Sequence, residues 1–149
     1  MITRRQHVSA EAEAEYTADV ALAAQFDDLL AKARTAEQAF RRAQAGARPG
    51  SEVYPLAREL DTALTDAMRA AYAAMRAEIG PRGYSDRIYR RKAHAKSAVH
   101  AWSDEAERLL TLRETHQLTG IPPRPRTDLP AAEGLAPSVA EGIVPSVPA

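Results

Sequence analysis

With 149 residues the chain has room for one domain of ordinary size and a tail. Twenty Lys and Arg balance twenty Asp and Glu, so no overall positive field draws the molecule onto nucleic acid or an anionic membrane, and any such attraction must come from a local patch. The sequence has no cysteine, which excludes disulfides, thiolate catalysis and Cys-ligated zinc or iron–sulfur sites.

The opening "MITRRQHVSAEAEAEY" is read as a short arm, residues 1–8, passing straight into an acidic helix without the apolar centre of a secretory signal. No apolar run approaches the roughly 18 residues that a membrane span needs. The expected setting is therefore the cytoplasm, or a virion if the chain is phage-encoded, with no membrane partner.

Three long helical segments separated by Gly and Pro are expected over residues 9–120. In the first, Leu22, Phe26, Leu29, Ala33, Ala36, Phe40 and Ala43 recur at alternating steps of four and three, a heptad seam. Ser9 is its N-cap, and "GARPG" at 46–50 ends it. The second starts at about Pro55, a residue suited to a first helical turn, and runs to Gly80, with Leu56, Leu60, Ala63, Ala67, Ala70 and Ala74 facing inward. The third begins after "GPRG", with Ser85 as cap and Tyr84 stapled onto Tyr89. Its seam is Ile88, Ala95, Val99, Trp102, Ala106 and Leu109, interrupted by Lys92, and Gly120 ends it. "TAEQ" at 35–38 and "SDEA" at 103–106 resemble internal helix starts, but neither has Gly or Pro beside it, so unbroken helices are expected.

Rods of similar length joined by short loops imply antiparallel neighbours. The predicted fold is all-α: an up-down-up three-helix bundle of long coiled-coil-like helices with an extended Pro-rich C-terminal tail. Heavy use of alanine and an aromatic content of 5% let helices approach closely while each buries little apolar area. Such a lean core argues for a homo-oligomer or for docking onto a larger partner.

Residues 121–149 hold seven of the ten prolines and have no helical period. Within them "EGLAPSVA" (133–140) is followed at once by "EGIVPSVP" (141–148), identical at five of eight positions. Two copies of one apolar motif suit two equivalent pockets on a symmetric assembly, with Leu135, Pro137, Val139, Ile143, Pro145 and Val147 as the contact residues.

Catalytic and metal motifs are sparse. No Glu-x-x-His pair is present, His94 and His100 are six apart where a zinc pair on a helix needs four, and all four histidines are expected at the surface or half-buried. Glu15 and Asp19 have the spacing to face one cation, but a solvated acidic helix start, its carboxylates meeting the positive end of the helix dipole, explains them with less. With no phosphate loop and no nucleophile motif, neither enzymatic activity nor a cofactor is expected.

The basic stretch is the richer feature. Arg82, Arg87, Arg90, Arg91, Lys92 and Lys96 against Asp86 leave a net charge of +5 between residues 82 and 96. Cations at a helix start oppose its dipole, so compensation is required. One source is the first helix, whose residues 11–28 carry a net charge of −6 and would lie beside the basic stretch if the first and third helices run parallel. The other is phosphate, with Arg87, Arg90, Arg91, Lys92 and Lys96 as contacts. The leading expectation is a non-enzymatic structural or assembly protein attached to a large protein assembly, such as a virion component, a scaffold or a shell-docking adaptor. The alternative is a nucleic-acid-binding accessory protein.

Overall fold

A computed structural model describes residues 8–124. Residues 1–7 of the expected arm, and the tail from 125 onward with its candidate contacts Leu135, Pro137, Val139, Ile143, Pro145 and Val147, lie outside the described residues. Within them the chain is all-helical: α1 (Ala10–Ala23), α2 (Phe26–Ala45), α3 (Gly50–Ile79), α4 (Arg82–Ser85), α5 (Arg87–Ala93) and α6 (Ser97–Thr115), followed by a π turn (His116–Gly120). No strand occurs among the described residues, and no helix among them is long and apolar enough to cross a membrane.

The Ser9 hydroxyl caps α1 by accepting the Ala12 N–H at 3.2 Å, as expected. The expected single first helix is, however, two. The Gln25 N–H bonds to the Leu22 carbonyl three residues back, at 3.0 Å, and this tightened turn separates α1 from α2 without Gly or Pro. The seam survives the break: Phe26, Ala33, Ala36, Phe40 and Ala43 are buried, and Leu22 and Leu29 pack against them. Beyond Ala45 the residue in the left-handed region is Ala47, with φ 48, rather than either glycine of "GARPG".

The second helix starts five residues earlier than expected, so Pro55 lies inside α3 rather than in its first turn. The added turn brings Val53 into the core and lets Arg48 pair with Glu52 at 2.9 Å, while Pro55 stays exposed and forfeits one helical N–H bond. α3 is the central element, packed by α1 and α2 along one side and by α6 along another. Its partners come in reverse chain order on both sides. Asp19 of α1 meets Arg76, whereas Phe40 of α2 borders one recess with Leu60 and Leu64. Likewise Val99 of α6 clusters with Ile79, whereas His116 bonds to Ala57.

Alanine sets the spacing between these helices. Among the described residues, thirteen of the twenty-one buried hydrophobic residues are alanines, and only Val99 and Leu109 are large side chains buried completely. Backbones therefore come close while transfer energy per residue stays small. At one end the buried Asp61 carboxylate accepts the Gln117 Nε2–H at 2.9 Å and stands 3.5 Å from Arg113 Nε. His116, expected at the surface or half-buried, is buried instead. Its Nε2–H donates to the Ala57 carbonyl at 2.7 Å and its ring meets Phe40 edge-on at 5.1 Å, so the hydrogen bond and the apolar packing together offset its desolvation. The ring lies so close to Gly120 that a Cβ there would run into it, which accounts for glycine at that position.

The third segment departs furthest from expectation. Instead of one rod from Ser85 to Gly120 it is α4, α5 and α6 with breaks at Asp86 and at His94–Lys96. Asp86, not Ser85, is the cap of α5, its carboxylate accepting the Tyr89 N–H at 2.9 Å. Tyr84 turns toward α1 rather than stapling onto Tyr89. At the second break Ala95 and Lys96 bond to carbonyls three residues back, and Lys96 is extended. These turns rotate α5 relative to the expected seam: Ile88 is 70% exposed and Ala95 is exposed, while Ala93 is buried. From Val99 onward the expected stripe of Val99, Trp102, Ala106 and Leu109 does face α3 and α2.

Candidate anion-binding surface

α5 is held by a narrow stripe. At about 100° per residue, Tyr89 and Ala93 share one side of the seven-residue helix, and these are its two inward side chains, one half-buried and one buried. Arg87, Arg90, Arg91, Ile88 and Lys92 occupy the remaining arc of about 200°, with His94 just past the end, and all six are exposed. The helix is pinned from beneath by Gly83 of α4, which sits against Ile79 of α3 where a Cβ would collide with the Ile79 methyl.

Tyr89 is covered by cations of its own neighbourhood. The Arg82 guanidinium lies 4.6 Å from its ring centre and Lys96 Nζ 5.9 Å, both in cation–π range. Arg82 also pairs with Asp86 at 3.0 Å. The Asp86 carboxyl is held below the usual carboxylate range by the Tyr89 N–H it accepts, with Arg82 adding to the effect.

The expected charge match between the basic stretch and the first helix does not form as ion pairs. None of Arg87, Arg90, Arg91, Lys92 and Lys96 is bridged to a carboxylate among the described residues. Asp19 is instead taken by Arg76 of α3, which donates from Nε at 2.7 Å and from Nη2 at 2.9 Å, and by the Tyr84 hydroxyl. Burial acts to raise the Asp19 carboxyl, but those hydrogen bonds and the guanidinium charge outweigh it and hold the group below its ordinary range. Burial and the adjoining carboxylate push the Tyr84 phenol well above its ordinary value. The positive partner of Asp19 is thus the protein's own Arg76 guanidinium.

Arg90 keeps a looser relation to α1. It borders a cleft of about 340 Å³ with Glu15, Asp19, Arg76 and Tyr84, and its Nη1–H donates to the Gly83 carbonyl at 3.2 Å. The five expected contact residues thus divide. Arg90 and Lys96 are turned to the protein's own backbone and rings, and Arg87, Arg91 and Lys92 are turned outward.

The breaks also ease the dipole problem. In a continuous helix these cations would crowd the positive N-terminal end, but in α5 Arg90, Arg91 and Lys92 form the last turn, where the dipole favours them by about 0.3–1 kcal/mol each, and only Arg87 stays in the first turn. Sequence reasoning missed Ile88 as a surface residue and Arg76 as the partner of Asp19. Asp86 was a legible cap, standing three residues before the N–H it accepts. The break at His94–Lys96 carries no Gly or Pro and had no such signal. His100 is exposed and faces Asp104 at 2.9 Å. No family model, curated protein or solved structure matches the chain.

Proposed function

We propose that the chain is a non-enzymatic helical assembly protein, an up-down-up bundle that docks onto a larger structure through an external surface and is further tethered by residues 121–149. The observation that carries this reading is α5, whose Arg87, Arg91, Lys92 and Ile88 point away from the core, the three cations without a carboxylate partner among the described residues. Exposed Lys32, Arg42 and Arg69 are likewise unbridged among the described residues, so α5 is set apart by density: four of its seven residues are cations and none is an acid. The up-down-up arrangement is supported by two aromatic contacts, Phe26 with Trp102 and Phe40 with His116, which have the same offset in sequence and so keep the first and last long helices parallel and in step. Virion, scaffold and shell-docking roles all fit this reading.

The test is recovery of complexes from producing cells by the full chain, by a chain lacking residues 128–149, and by a chain with Arg87, Arg91 and Lys92 all changed to Glu. Helicity and thermal unfolding are expected to stay the same, and complex recovery to fall for both variants. Undiminished recovery by the α5 variant removes α5 from docking, and undiminished recovery by the shortened chain removes the tail.

A further inference from the structure

We infer that the partner of the α5 surface is the phosphate backbone of double-stranded nucleic acid, contacted by Arg87, Arg91 and Lys92 without reading of base sequence. This rests on the docking reading above and names the partner.

Three observations favour phosphate over an acidic protein face. First, a specific protein interface needs a desolvated apolar centre with aromatic or aliphatic anchors, and α5 offers only Ile88, ringed by cations. Second, two of the three outward cations are arginines, whose guanidinium forks match the paired oxygens of a phosphate. Third, Glu15 and Asp19 of α1 border the same cleft as Arg90. They repel a polyanion from that side, which leaves Arg87, Arg91 and Lys92, on the arc of α5 beyond Arg90, to meet it.

The same geometry favours a duplex over a single strand. Single-strand sites depend on aromatic platforms for the bases. Tyr89, the one tyrosine of α5, faces inward beneath Arg82 and Lys96. The remaining recognition is by charge, and charge positions a protein on DNA without specifying sequence.

The experiment is a fluorescence anisotropy titration of a labelled duplex of random sequence with the full chain, from 50 to 200 mM NaCl. Three neutralised phosphates predict a slope of log affinity against log salt of about −2.7, hence a loss of about forty-fold over that range. Changing Arg87, Arg91 and Lys92 together to Gln is expected to abolish binding with circular dichroism unchanged, since all three side chains are exposed. Arg90→Gln is expected to cost less than any one of them. No binding at 50 mM, or binding indifferent to the triple change, overturns the nucleic-acid partner. If the duplex is ignored while the triple change dissolves a salt-sensitive self-association in sedimentation velocity, the partner is an acidic face of a second copy: the inference fails and the docking reading stands. If the triple change alters neither DNA binding, self-association nor complex recovery from cells, both fail.

Discussion

Asp19 is the residue through which α1, α3 and α4 are tied together. Its carboxylate takes three hydrogen bonds from Arg76 and Tyr84, and its side chain is 14% exposed against 42% for Arg76. Because the folded protein lowers its pKa, the stabilisation is fully present above the unfolded value of about 3.9 and is lost as pH falls through the folded value. Asp19→Asn is therefore expected to lose about 1–2 kcal/mol at neutral pH, at the lower end for a charged hydrogen bond because Arg76 can rehydrate. The gap from the parent should narrow only below about pH 4. Urea midpoints measured from pH 7 to pH 3 check this, and a gap independent of pH would place the cost in packing instead. The sequence showed Asp19 as one of six acids along the first helix and as a neighbour of Glu15 one turn away. Its real partner, Arg76, is 57 positions away, and nothing in local spacing points to it.

At the scale of the element, α5 and α6 show what a heptad pattern can and cannot reveal. From Val99 to Leu109 the apolar spacing and the burial agree, because one helix packs continuously along α3. Extended back to Ile88 the same pattern fails, because the turns at Asp86 and His94–Lys96 change the helix direction and the face that α5 presents. A periodic count assumes one axis, and it cannot register a break made by tightened backbone bonds alone. Leu109, 1% exposed, and Ile88, 70% exposed, were equal members of the expected seam, so they discriminate between the two geometries. Leu109→Ala is expected to cost about 2–5 kcal/mol, lowering the melting temperature by roughly 4 °C for each. Ile88→Ser is expected to stay within about 0.5 kcal/mol of the parent. Thermal unfolding of the two variants side by side decides the matter, and a large loss from Ile88→Ser would return α5 to the core.

For the whole molecule, the uneven distribution of buried side chains implies an uneven resistance to opening. The main cluster joins α2, α3 and α6, while the end that carries α4 and α5 rests on a separate cluster of Ile79, Ala93 and Val99. Helices of 4 and 7 residues are far too short to persist without packing, so that end depends on three buried side chains, the Asp19 network and the cap at Asp86. Local opening free energies follow such differences in buried contact. In amide hydrogen exchange followed by mass spectrometry, peptides spanning Arg82 to Lys96 are expected to exchange at least ten times faster than peptides spanning Leu60 to Ala74, where nine residues including Ala67, Ala70 and Ala71 are buried. Asp19→Asn should speed exchange in the first region and leave the second nearly unchanged, since it loosens α4 without touching the centre of α3. Equal protection in both regions would mean that the molecule opens only as one unit. The outward cations of α5 would then sit on a rigid platform rather than on the segment most easily ordered by a partner.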